Sequence, residues 1–165
     1  MDVSIETKVE AEVLTEGSIV IDSKIFSEII RKLPNSDVKI EIAENDLVQI
    51  TCEKSVFNVV YMNATDYPAL PSINEDLNVE VPQNLLKNMI KGTSFAIALD
   101  EARPILQGIL FEVKNKELNL VALDGYRLAV RSELLDVDDN IEVVIPGKTL
   151  NEVSKILEDN ADIVK

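Results

Sequence analysis

One unit recurs three times along this chain: a short apolar strand, a helix-start residue, then an amphipathic helix. The copies are Ile19-Val20-Ile21-Asp22 leading into 23–33, Val79-Glu80-Val81-Pro82 into 83–92, and Val143-Val144-Ile145-Pro146 into 147–157. Asp22, Pro82 and Pro146 stand at intervals of 60 and 64 residues, with strand-like segments between the helices. Apolar helix positions align as well, Phe26 with Leu86 and Leu150, and Ile29 with Met89 and Val153. A strand–helix unit repeated at this period implies an array that presents equivalent helices to a common partner. It points to a scaffold rather than to a single catalytic pocket.

The charge is distributed unevenly over that array. The chain of 165 residues carries a net charge of −14, which at face value argues against nucleic acid. Yet the three helix segments hold seven bases, Lys24, Arg31, Lys32, Lys87, Lys91, Lys148 and Lys155, against only two acids, Glu28 and Glu152. Basic helices on an acidic body make two electrostatic faces, and a polyanion within about 8 Å responds to the nearer one. Solvated lysines on helices are common, but recurrence in all three copies favours a purpose. Lys24, Ser27 and Arg31 share a helical face, as do Asn84, Lys87, Asn88 and Lys91, and Lys148, Asn151 and Lys155. Such faces track phosphates without reading bases. With no aromatic beside them, single-strand stacking is disfavoured and duplex contact is expected.

Between the helices the pattern changes to strands. Residues 3–13 alternate, Val3, Ile5, Val9, Ala11 and Val13 against Ser4, Glu6, Lys8, Glu10 and Glu12, which predicts a half-buried strand. Segments 38–43, 47–52 and 56–62 read as an antiparallel meander with short polar turns. Cys52 shares the apolar phase of Val48 and Ile50 and reads as a small core residue. From 63 to 78 periodicity fails and Pro68 and Pro71 accumulate, predicting an extended connection between domains. Residues 95–99 are expected to be a strand, and 106–114, 118–123 and 128–134 a second meander, the last entered by a tight Asp124-Gly125 turn. Ile163-Val164 begins a further strand, so the repeat predicts an incomplete second domain.

Catalytic and cofactor patterns are missing from the sequence. There is no histidine and one cysteine, so His-based triads and the usual zinc ligand sets cannot be assembled within this chain. Five scattered glycines make no phosphate-cradling loop, and no cofactor is expected. The 136–139 acidic run lacks the spacing of a calcium loop and reads as solvated linker. A carboxylate hydrolase would have to rest on Asp100 and Glu101, which beside Arg103 read better as a local ion pair. A single thiol suits a reducing, cytoplasmic compartment, and neither a signal peptide nor a membrane span is visible.

A specific resemblance joins these readings. The stretch Val121-Ala122-Leu123-Asp124-Gly125-Tyr126-Arg127-Leu128-Ala129-Val130 follows Arg103-Pro104-Ile105-Leu106-Gln107-Gly108-Ile109-Leu110-Phe111-Glu112. Together they resemble the bacterial sliding-clamp family, the beta subunits of DNA polymerase III. That family's pattern runs close to R-x-x-L-x-G-x-L-F-E and then A-T-D-G/S-H-R-L-A. Asp66-Tyr67-Pro68-Ala69-Leu70-Pro71 is similar to its D-[FY]-P-x-[LF]-P interdomain segment, and Val144-Ile145-Pro146-Gly147-Lys148 also fits. The resemblance implies an α+β clamp fold, helices on one side of antiparallel sheets, with 1–72 the second part of one clamp domain and 73–165 the first part of the next. In the family, such domains close a two-protomer ring around DNA, helices inward.

By the same resemblance, Lys24, Arg31, Lys32, Lys87, Lys91, Lys148 and Lys155 would face DNA, with Arg103 near it. Leu106, Leu123, Gly125, Tyr126, Arg127 and Leu128 would belong to a pocket for short linear peptides. Leu123 stands where the family usually has Thr, and Tyr126 where it has His. The implied role is a non-enzymatic processivity factor that encircles double-stranded DNA and tethers the replicative polymerase, the clamp loader and other clamp-binding-motif proteins. A piece of this extent would leave strand edges unpaired and is expected to form a homo-oligomer. The alternative is a clamp-derived module that binds peptides without DNA.

Overall fold

A computed structural model describes residues 4–69, 78–100, 102–137 and 140–165. The chain separates into two compact units, Glu6–Ser72 and Ile73–Lys165, the latter grouped with Met1–Ile5. In the first, β1 (Ile19–Ile21) leads into α1 (Ser23–Lys32), followed by β2 (Lys39–Ile42), β3 (Leu47–Cys52) and β4 (Ser55–Asn63). All pairings are antiparallel, in the order β1-β4-β3-β2. The strict alternation of β3 buries Val48, Ile50 and Cys52 on one face. Phe26, Ile29 and Leu33 of the α1 stripe pack there against Val48, Ile50 and Val59. Asp22 caps the helix, its Oδ1 accepting from the amides of Lys24 (3.0 Å) and Ile25 (2.9 Å).

The second unit holds one full copy of the repeat and the start of another. It runs β5 (Val81–Pro82), α2 (Gln83–Thr93), β6 (Gly108–Lys114), β7 (Glu117–Leu123), β8 (Leu128–Leu134), β9 (Ile141–Pro146), α3 (Gly147–Ile156) and β10 (Ile163–Val164). The strand before each helix joins the other copy's sheet. β9 completes the sheet β8-β7-β6-β9, while β5 pairs with β10. One sheet face buries Ile109, Val113, Leu118, Leu120 and Ala122 under α2 and α3, which lie side by side on it. On the outer face, beside the exposed Val130 and Leu128, Asn119 bonds Glu112 and Ser132, its cross-strand neighbours on β6 and β8.

Two expected strands are not formed. Residues 4–13 alternate as foreseen but are extended, unpaired and exposed, with Ile5 at 72 % and Val9 at 81 %. An alternating segment becomes a strand only against a sheet edge and an apolar face, and none meets it among the described residues. Residues 95–99 instead begin in a 3-10 turn, Ser94–Ala96, which drops Ala96 into the core and leaves Leu99 outside. The expected connection at 63–78 falls largely outside the described residues, as do Glu101 and part of the 136–139 run. No helix of the described residues is long and apolar enough to cross a membrane.

The exchange of β9 onto β6 requires a glycine at its start. A Cβ on Gly108 would stand 2.5 Å from Val144 Cγ1 and 2.8 Å from the Ile145 carbonyl oxygen, and a backbone oxygen cannot swing away. Gly108→Ala is therefore expected to destabilise the protein by about 1–3 kcal/mol. Gly17→Ala, with nothing within 4 Å, serves as its control. Thermal unfolding of the two variants checks this; equal melting temperatures would refute it.

Candidate nucleic-acid and peptide-docking sites

The seven helix bases are not equivalent in the structure. Lys24, Arg31 and Lys32 of α1, Lys91 of α2 and Lys148 and Lys155 of α3 are exposed. Lys155 Nζ is paired with Glu152 at 2.7 Å on its own helix. Lys87 has another setting: its side chain is only 13 % exposed and its Nζ meets Asp159 at 3.0 Å. That pair belongs to a seam at the start of α2. Pro82 offers no side-chain cap, and the first amides of α2 turn instead to the loop after α3. Gln83 N–H donates to the Asp162 carbonyl (2.9 Å) and Asn84 N–H to that of Asn160 (3.0 Å). In return Gln83 Oε1 accepts from Glu158 N–H at 2.8 Å.

Position along the helix separates the bases further. Arg31, Lys32, Lys91 and Lys155 stand in last turns, where the negative end of the helix dipole favours a cation. Lys24 and Lys148 stand second in α1 and α3, at the positive end, where a cation costs the helix stability. None of the three helices has an acid in its first turn, in a chain with 30 Asp and Glu. Arg131, not foreseen, adds a cation at the end of α2. Its stem lies over Gly92, with Cγ 3.1 Å from where a Cβ would stand. The helical glycine was the available signal, since Gly inside a helix often marks a close approach.

Five of the six residues expected at a peptide pocket, Leu123, Gly125, Tyr126, Arg127 and Leu128, lie at the β7–β8 turn. Asp124 Oδ1 accepts from the amides of Tyr126 (2.9 Å) and Arg127 (3.0 Å), and its Oδ2 receives Arg127 Nε at 2.8 Å. Gly125 takes φ +94°, a left-handed value suited to glycine, and the Arg103 guanidinium lies against it. A hollow of about 310 Å³ opens beside the turn, lined by Ile97, Leu99, Asp100, Arg103, Tyr126 and Arg127 among others. Of the six residues expected at a peptide pocket, Tyr126 and Arg127 line this hollow, and they meet there Arg103, which was expected near DNA. Leu106, Leu123, Gly125 and Leu128 do not line the hollow. Leu123 and Leu128 face each other across the strands at its base, with Leu128 64 % exposed. Tyr126 is 98 % exposed, an aromatic ring held out in water. Asp100 makes no ion pair with Arg103 among the described residues; its Oδ1 accepts from Ala102 N–H at 2.9 Å. Among the described residues no cluster of three or more acidic, cysteine or histidine side chains is placed to hold a metal.

The Asp124 carboxyl is held below its ordinary value of 3.8, first by the Tyr126 and Arg127 amides and then by the Arg127 side chain. A lowered folded value means that the turn's contribution is complete above that ordinary value and fades as pH falls through the lowered one. Carboxyl NMR titration should show Asp124 protonating at lower pH in the folded protein than in the denatured chain, with the Tyr126 amide shifting in step. Coincident midpoints would refute this.

Comparison with known proteins follows the same division of the chain. Residues 80–165 match the family model of the DNA polymerase III beta subunit, central domain, and residues 1–71 that of its N-terminal domain. The beta sliding clamp of Bacillus subtilis is 43 % identical over 173 residues, covering 99 % of this chain and 46 % of that protein. A crystal structure of the DNA polymerase sliding clamp from Bacillus subtilis superposes with a TM-score of 0.86 at 45 % identity, over 90 % of this chain and 40 % of that one. The DNA polymerase III beta chain of Streptococcus pneumoniae gives 0.85 at 30 % identity, over 91 % and 40 %. The chain thus spans less than half the length of the relatives it matches.

Proposed function

The chain belongs to the DNA polymerase III beta subunit family, and on that premise we propose that it contributes helices and a peptide-docking turn to a sliding clamp. Residues 1–72 serve as the second part of one clamp domain and 73–165 as the first part of the next. Lys24, Arg31, Lys32, Lys91, Lys148 and Lys155, joined by Arg131, face the phosphates of duplex DNA. Lys87 is left to the α2–α3 seam. Contact is electrostatic and sequence-neutral, as a ring that must slide requires. The role is non-catalytic: the clamp raises processivity by tethering the polymerase.

One observation carries this reading. Lys24 and Lys148 sit where their own helices disfavour a positive charge, so helix stability does not explain them, and an external anion does. The hollow at Arg103, Tyr126 and Arg127 supports the peptide-docking half of the proposal, as its apolar shelf suits a short linear segment anchored by large side chains. Partners there are the polymerase, the clamp loader and other proteins carrying a clamp-binding motif.

The two halves separate experimentally. Replacing Lys24 and Lys148 together by Glu should leave thermal stability unchanged or raise it by about 0.3–1 kcal/mol per site, since each acid then suits the dipole. The same variant should bind a labelled duplex more weakly in low-salt fluorescence anisotropy, its salt slope reduced by about 0.9 per lost phosphate contact. Unchanged binding would overturn the DNA-facing role and leave the peptide-binding module standing.

A further inference from the structure

Lys87 and Lys91 stand one turn apart on α2 and share a face. Lys91 is exposed, whereas the Lys87 side chain is 13 % exposed, with its Nζ 3.0 Å from Asp159 Oδ1. The carboxylate at the other end of that pair stands in water, 79 % exposed. Its place is fixed from both sides. One residue before it, Glu158 N–H donates to Gln83 Oε1 at 2.8 Å. One residue after it, the Asn160 carbonyl accepts from Asn84 N–H at 3.0 Å. Asp159 is thus pinned over the first turns of α2 by contacts that do not use its own side chain. Lys155 and Glu152 on α3 make a different kind of pair, with both side chains more than half exposed on one helix. An exposed pair of that sort yields readily to another anion. The buried stem of Lys87 leaves its ammonium little freedom to reach around Asp159.

An ammonium on a phosphate-facing helix that is already matched by a carboxylate is a contact withheld. We propose that Asp159 is a tethered competitor of the duplex: it holds the place that a phosphate would take at Lys87, and so limits how tightly α2 grips. The inference rests on the duplex-facing role of α2 and α3 proposed above, and it adds the residue that sets the strength of that contact. A phosphate and the Asp159 carboxylate offer the ammonium the same chemistry, a charge-assisted hydrogen bond to an anionic oxygen. Asp159, however, is attached, and a tethered group acts at a high effective concentration. A ring that must slide gains from this, because each persistent phosphate contact is one more to break at every step. The carboxylate has a second use. α2 has no acid in its first turn, and Asp159 brings negative charge toward the positive end of that helix. That use alone predicts a lower melting temperature for a neutral residue at 159 and no change in duplex binding.

In low-salt fluorescence anisotropy, Asp159→Asn in the full chain should bind a labelled duplex about threefold tighter or more. Its salt slope should steepen by about 0.9, the mark of one added phosphate contact. Asp159→Ala, which removes the acceptor altogether, should match or exceed that gain, with circular dichroism confirming the fold of each variant. The combination Asp159→Asn with Lys87→Gln keeps the net charge of the parent chain and should return affinity and slope to the parent values. If it binds as tightly as Asp159→Asn alone, the gain comes from general loss of negative charge and the inference is overturned. It is overturned equally if both single variants at 159 bind no tighter than the parent while the Lys24 and Lys148 variant binds more weakly. If that last variant binds unchanged, or if no chain binds the duplex, the DNA-facing reading falls and takes this inference with it.

Discussion

In the second unit, neither copy of the repeat can be completed without the other. β9 belongs in sequence to the third helix but lies on the sheet of the second, and β5 makes the opposite crossing to β10. The burial of Ile109, Phe111 and Val113 depends on that crossing, as does the side-by-side placement of α2 and α3. An antiparallel sheet with one wet face needs a helix layer over the other. Here the layer is held in register by strands that have changed sides, and the exposed cations of α2 and α3 inherit their arrangement from it.

Lysine positions on these helices answer to two different demands. Those in last turns satisfy the dipole and would be reasonable in any soluble protein. Those in first turns oppose it, and the absence of first-turn acids in a chain with 30 of them sharpens the contrast. Net charge of −14 conceals this arrangement, because all the acids but Glu28 and Glu152 fall outside the three helix segments. The sign of the whole chain says little about what one face meets.

Much of the fold was legible because it is written in local periodicity. The β3 alternation, the three helical stripes and the polar turns all announce themselves over a few residues, and Asn45, Asp46, Asn115 and Lys116 adopt the positive φ that tight hairpins need. What was not legible depends on distant partners. Residues 4–13 have a strand's pattern without an edge to join, and 95–99 has apolar residues that split between core and solvent at Ala96 and Leu99. Lys87 reads like its neighbour Lys91, and only the fold brings Asp159, 72 positions later, to its ammonium. Arg131 was hidden because a strand residue says nothing about which helix end it will cover. At the hollow, the Asp124-Gly125 turn was legible while Ile97 and Leu99 of its lining were not.

The helices also differ in when their ends can be satisfied. The Asp22 carboxylate that caps α1 precedes the helix, so α1 has its cap as soon as it is made. The first amides of α2 wait for carbonyls at Asn160 and Asp162, more than seventy residues further on. On a ribosome, which releases the chain from its N-terminus, the first unit can settle while the second remains open. Its final closure comes only when the last few residues described here leave the exit tunnel.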